Sequence, residues 1–286
     1  MSQAEALDLC QRFLGTRWKL WRAQRLFLPR ERRPALVSLF AWHELVRERL
    51  GSARSPAEQS AELDRLSRAI ERLFAGEPDT PIGIALAPTV RLHEFPSLAF
   101  RGPLEEHRRS AHVGTFETRG ALLAHARAIA SPEAGFLLSV LGKRSERNEI
   151  RADALAVGLQ LCAWIARIPE DLEQGRLHVA IEDLDRHGLA ILDLHVRVPT
   201  VRTRALIRDQ IAWTRSFLAK GWPFVDELGR LHGRALAFVL RWHAATLSAL
   251  EVRDHDVFAG PPPAGWPRLL ACATASLASP QSPLPA

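Results

Sequence analysis

Apolar residues recur along this chain at spacings of three and four, the period of a helix that buries one side. In "AELDRLSRAIERLFAGE" the positions Leu63, Leu66, Ile70 and Leu73 form one stripe, and the pattern stops at Gly76. "RGALLAHARAIASPEAGFLLSVLG" repeats the period, with Pro132 as an expected kink or break. "ADALAVGLQLCAWIARIPEDLEQG" is apolar on nearly every face as far as Ile168, which predicts a buried central helix. "VRTRALIRDQIAWTRSFLAKG" and "ELGRLHGRALAFVLRWHAATLSALEVR" predict two further long helices. Period-two alternation with Asn-Gly or Asp-Gly turns is absent. Breaks fall at Gly51 to Pro56, Glu77 to Pro81 and Val198-Pro199. The pattern predicts one all-α domain of eight to ten helices over residues 1–270. Residues 271–286, with "ASPQSPLPA" at their end, are expected to form a disordered Pro-rich tail.

Composition narrows the classes. A chain of 286 residues, 47% apolar and 24% charged, can bury a large core. No run of about 18 apolar residues is read, so no membrane-spanning helix is expected. The start "MSQAEALDLCQRF" lacks the basic-then-apolar order of a signal peptide, which makes the cytoplasm the expected location. Cys10, Cys162 and Cys272 are far apart and odd in number, a poor basis for a disulfide framework or a zinc site. The net charge of +6 is carried almost wholly by arginine; the lysines are Lys19, Lys143 and Lys220. A GC-rich genome accounts for this as well as attraction to a phosphate or a lipid surface does. No nucleic-acid motif accompanies the charge. P-loop, GxGxxG, GxSxG and HExxH patterns are also missing. The tryptophans read as core, with Trp42 and Trp164 closest to the candidate chemistry.

That chemistry begins with "IARIPEDLEQGR", where Glu170, Asp171 and Glu173 precede Gly175-Arg176. Acids one helical turn apart can hold a divalent cation, or can be an ordinary wet helix end. Around this stretch, five segments in order resemble the squalene/phytoene synthase family. They are "LFLPRERRPALVSLFAW", "LFAGEPDTPIGIALAPTVRLHEFP", "TFETRGALLAHARAIASPEAGFLLSVLG" (the Tyr-x-Thr helix), "VGLQLCAWIARIPEDLEQGRLHVAIEDLDRHGL", and "LEVRDHDVF" with "WPRLL". The resemblance implies the all-α isoprenoid-synthase fold around a central cavity. It also implies head-to-head joining of two prenyl diphosphates to squalene, hydroxysqualene or phytoene. Mg²⁺ held by carboxylates on two helices would neutralise the leaving diphosphate.

Both acidic motifs depart from the family. The first, Asp-Asp-x-x-Asp, aligns with Arg47, Glu48 and Gly51, so only Glu48 keeps a carboxylate; Glu44 lies outside the expected positions. A local pair of Glu44 with Arg47 or Glu48 on a solvated face is the plain alternative. The second, Asp-x-x-x-Asp, aligns with Arg167 and Asp171, followed by the retained Gly175 and Arg176. Gln160 matches the family's upstream Gln, whereas Ala163 and Ala166 replace its Asn and Arg, and His178 and Ala180 replace an aromatic hydroxyl and a proline. A further acidic position of some relatives falls near Glu105 and Glu106, where His107, Arg108 and Arg109 follow. Arg167 and Asp171 are spaced for an intrahelical ion pair. At roughly 5 Å and an effective dielectric of about 20, one arginine repels a divalent cation by about 6–7 kcal/mol.

The expectation is a non-catalytic paralogue that needs no cofactor. It would bind an anionic lipid, a prenyl diphosphate or a partner protein, with Arg47, Arg167, Gln160 and Arg176 as anion ligands. The family includes such members, one of them a mitochondrial protein of respiratory complex I assembly. Nucleic acid is not an expected partner; peripheral membrane association is. The alternative is an active, divergent synthase with Glu48 and Asp171 on Mg²⁺, helped by Glu44 or Glu170.

Overall fold

A computed structural model describes residues 1–18, 28–53, 55–111, 114–260, 262 and 265–278. Fourteen helices and no strand occur among the described residues, more and shorter helices than the periodicity suggests. The chain divides into two compact units, residues 1–111 with 132–149, and residues 112–131 with 150–286.

In the first unit, α1 (Gln3–Arg17) begins in a capping box: Ser2 Oγ accepts from the Glu5 amide and Glu5 accepts from the Ser2 amide. The next helices are α2 (Arg33–Ser52), α3 (Pro56–Phe74), α4 (Pro81–Leu92) and α5 (Ser97–Ser110). Both α3 and α4 open on a hydroxyl cap followed by proline, Ser55-Pro56 and Thr80-Pro81, which satisfies an orphan amide and presets the first helical φ. The predicted stripe Leu63, Leu66, Ile70 and Leu73 is buried, and Gly76 takes a φ of +85° at the predicted stop. These residues join Leu36, Leu39 and Phe100 in one core, where Phe100 stacks on Phe136 at 4.4 Å. Trp42 packs edge-on to Phe100 and is a core residue.

α6 (Arg119–Leu141) runs through Pro132 as a single helix. The boundary between the two units falls at that proline, which also lacks an amide for the carbonyl four residues before it. α7 (Glu146–Ile165) is buried through Val157, Leu161 and Trp164, as its apolar circumference predicts.

In the second unit follow the short helices α8 (Ile168–Glu173), α9 (Ile181–Arg186) and α10 (Ile191–His195), then α11 (Val201–Gly221), α12 (Phe224–Glu227), α13 (Gly229–Val252) and α14 (Trp266–Ala278). Glycines let α7 and α11 approach closely. A Cβ on Gly221 would stand 2.6 Å from the Arg151 carbonyl oxygen, and one on Gly158 would stand 2.8 Å from Leu218 Cδ2.

Two expectations change here. Within α13, His232–Val252 is long and apolar enough, by length and composition, to cross a membrane. Its residues Ala237, Leu240, Ala244, Leu247 and Leu250 are buried at helical spacing, the stripe of a core helix. The expected tail boundary after Leu270 falls inside α14, which is helical to Ala278 and buries Leu269 and Cys272. Residues 279–286 lie outside the described residues.

Candidate functional site

The first acidic motif lies on α2 in the first unit. Glu44 is buried and takes three neighbours: Arg47 Nη2 at 2.7 Å, Arg47 Nε at 3.1 Å and Trp18 Nε1 at 3.1 Å. The pairing of Glu44 with Arg47 therefore exists, but Glu44 is an interior residue rather than part of a wet face. Glu48, the one carboxylate at an aligned position, is paired with Arg17 of α1. His43 Nδ1 lies 3.1 Å from Glu133. Near the further acidic position, Arg109 holds Glu106, and Arg108 holds Asp64 at 2.8 Å.

The second motif lies in the second unit, and its local structure departs from a continuous helix. α7 ends at Ile165 and α8 starts at Ile168, with Pro169 in its first turn. Proline has no amide for the Ile165 carbonyl and its ring crowds that position, so the helix breaks before it. Arg167 becomes the N-cap, with φ −118° and ψ 13°. The anticipated ion pair between Arg167 and Asp171 does not form; their contact is the backbone hydrogen bond from the Asp171 amide to the Arg167 carbonyl, at 2.9 Å.

Asp171 is buried and engaged from its C-terminal side. Gly175 adopts φ +68°, its amide donates to the Leu172 carbonyl at 3.0 Å, and the Arg176 amide donates to the Asp171 carbonyl at 2.8 Å. This is a Schellman stop, and it gives the retained Gly175-Arg176 pair a backbone reason. The turn brings His178 Nδ1 to 2.8 Å from Asp171 Oδ2 and Arg176 to 3.8 Å from Asp171 Oδ1. The His178 ring lies flat on Trp164, with centroids 4.3 Å apart and planes 3° apart. His125 continues the stack on Trp164 at 5.5 Å, and Phe116 covers His125 at 4.8 Å. Phe116 is held there by pairing of 114–117 with 177–182: the Leu177, Ile181 and Glu182 amides donate to the carbonyls of Gly114, Phe116 and Glu117.

Burial lowers the pKa of Arg176; Asp171 raises it, and the positive charge of Arg167 lowers it again. The Nε atom of Arg176 and one carboxylate oxygen of Glu170, Oε2, are buried without a hydrogen-bond partner. Gln160 and Arg167 are half-buried, on α7 and at its end. Gly51 lies in the last turn of α2.

A second polar constellation was invisible in the sequence. Asp183 is fully buried and receives Arg119 Nε at 2.7 Å, Arg186 at 2.7 Å and Gln210 Nε2 at 2.8 Å. Arg119 also reaches Asp209 at 2.7 Å and lies 4.8 Å over the Trp213 ring. The carboxylates raise the pKa of Arg119 against the effect of its burial.

The sequence model described as squalene/phytoene synthase matches residues 23–269. The chain belongs to the squalene/phytoene synthase family. Among its relatives is the 15-cis-phytoene synthase of Synechococcus elongatus, 24% identical over 269 residues that cover 90% of this chain and 87% of that one. The corresponding Synechocystis enzyme is 23% identical over 90% of this chain and 80% of its own length. The chain has the isoprenoid-synthase fold. A squalene synthase from Alicyclobacillus acidocaldarius superposes with a TM-score of 0.78 at 24% identity, covering 89% of this chain and 96% of that one. A dehydrosqualene synthase in complex with a ligand gives 0.83 at 18% identity, with 96% of each chain covered.

Enzymes of this squalene/phytoene synthase family typically use Mg²⁺. The donor set of this member does not fit such a cluster. Among the described residues, no group of three or more His, Cys, Asp and Glu side chains converges to hold a metal. Glu44 and Glu48 are taken by arginine, and Asp171 by His178 and Arg176.

Proposed function

We propose that this member of the isoprenoid-biosynthesis family is a non-catalytic paralogue that binds an anionic amphiphile, such as a prenyl diphosphate or an anionic lipid, directly through arginine. The observation that carries the reading is the pairing of Asp171 with His178 beside the unpartnered Nε of Arg176. A buried guanidinium N–H without an acceptor is unfavourable, and a phosphoryl oxygen would satisfy it. Arg167, at the position of the family's first aspartate, adds a second positive charge near Arg176. Gln160 is a further candidate ligand. Arg47 is committed to Glu44 and would have to exchange that partner to contribute.

A second reading, a divergent active synthase, draws support from Glu170, whose buried Oε2 has no donor and would suit a cation. Calorimetric titration with farnesyl or geranylgeranyl diphosphate, in EDTA and in Mg²⁺, separates the two when combined with an assay for released diphosphate. Direct binding predicts similar affinity with and without metal, no diphosphate release, and weakening of about tenfold or more in Arg176→Ala. Metal-dependent release of diphosphate would establish the second reading.

A further inference from the structure

Glu44 and Glu48 stand one turn apart on α2, and the end of α1 reaches both. Arg17, the last residue of α1, pairs with Glu48. Trp18, its C-cap, donates Nε1–H to Glu44 at 3.1 Å. The Trp18 amide closes α1 on the Leu14 carbonyl at 2.8 Å, and its ring rests against Phe40 at 5.5 Å. One residue thus ends the helix and fastens it to the first motif. The rest of α1 is held by Ala6, Cys10 and Leu14, buried at helical spacing in one core with Val37, Ala41 and Ala85. Gln3 Nε2 donates to the Ala85 carbonyl at 3.1 Å. Ala6 and Cys10 are small and bury little apolar surface, so the end of α1 leans on its polar contacts.

Charge says what these contacts replace. Glu44 is buried, and Arg47 Nη2 reaches both of its oxygens at 2.7 Å. Arg17 and Arg47 therefore bring two positive charges to two carboxylates, the charge one divalent cation would bring. A cation added beside both arginines would meet like charge in a partly dry site. The cation and the end of α1 thus compete for the same carboxylates.

We infer that α1 is a latch on the first motif: Arg17 and Trp18 occupy Glu48 and Glu44 in place of a divalent cation, which reaches these carboxylates only when the end of α1 lifts from α2. The inference rests on the first motif alone and stands independently of the anion-binding reading of Arg176.

The test combines amide hydrogen exchange with Mn²⁺ binding, read from loss of the free-ion paramagnetic signal, on the full chain. In Arg17→Ala/Trp18→Phe, which keeps an aromatic ring against Phe40, the amides from Phe13 to Trp18 exchange about tenfold or more faster than in wild type. Those of α3 keep their wild-type rates, which shows that the fold is intact. The same variant binds Mn²⁺ about tenfold or more tightly than wild type, and adding Glu48→Gln abolishes the gain. Unchanged protection at the end of α1 overturns the latch. Equal Mn²⁺ affinity in wild type and Arg17→Ala/Trp18→Phe, or a gain that survives Glu48→Gln, overturns the competition.

Discussion

His178 Nδ1 stands 2.8 Å from Asp171 Oδ2, with its ring stacked on Trp164. The carboxylate that survives in the second acidic motif is thereby built into the protein's own packing. His178 and Arg176 act on the same carboxylate, whereas Arg167 meets Asp171 only through the backbone. A metal would have to displace both His178 and Arg176 to claim it.

Replacement of Asp171 separates a structural from a metal-holding role. A carboxylate kept for a metal sits among unfavourable neighbours, and its removal leaves stability level or raised. A carboxylate that satisfies His178 and Arg176 does the opposite. Asp171→Ala is expected to destabilise the protein by about 3 kcal/mol, read from urea unfolding midpoints at pH 7.

Asp183 makes the stronger demand. It is fully buried beneath Arg119, Arg186 and Gln210, so its removal leaves the Arg119 Nε without its acceptor in a half-buried site. Asp183→Ala is expected to cost about 3–5 kcal/mol, more than Asp171→Ala, in the same unfolding experiment. Arg186→Ala removes a more exposed partner and should cost no more than about 1 kcal/mol.

How far these features could be read from the chain differs by range. The stripe of α3 and its stop at Gly76 are local, and the sequence states them completely. Membership of the family was legible through the order of the five segments, and that order singled out Asp171. Its partners were not: His178 is seven residues on, but only the left-handed turn at Gly175 brings it back. The expected Arg167–Asp171 pair assumed a continuous helix, and Pro169 overrides that spacing. Arg119 and Asp183 are 64 residues apart, and no periodicity relates them. The hold of Arg17 and Trp18 on Glu48 and Glu44 is likewise silent in the sequence, since only the fold lays the end of α1 beside α2.

The α7–α11 crossing gives a steric prediction. Gly221 faces Arg151 and Leu155 at distances that admit no Cβ, and the nearest atoms include backbone, which cannot rotate away. Gly221→Ala should therefore force the helices apart and cost about 1–3 kcal/mol, despite alanine's better helix propensity. Gly102→Ala, inside α5 with open space around its Cβ, should stabilise by about 0.5–1 kcal/mol in the same thermal unfolding series.

The alkaline limb of stability rests on buried thiols. Burial pushes Cys10 up to about 11 and Cys162 up to about 12, from a reference of 9.0. Below pH 9 both states carry the protonated thiol, and pH has no effect through these groups. Above it, the unfolded chain gives up protons that the folded chain keeps. Unfolding then releases protons, and stability falls as pH rises. Each thiol contributes a loss of about 1.4 kcal/mol per pH unit, Cys10 between about 9 and 11 and Cys162 between about 9 and 12. The chain has no tyrosine and three lysines, and Cys272, which burial also raises, adds a residual slope of the same sign in the double variant. Urea midpoints measured from pH 8 to 11 should fall steeply above pH 9. In Cys10→Ala/Cys162→Ala the curve should flatten by about 2–3 kcal/mol per unit between pH 10 and 11. An unchanged slope in that double variant would show that the thiols ionise equally well in the folded protein, against their burial beside Leu14 and Leu161.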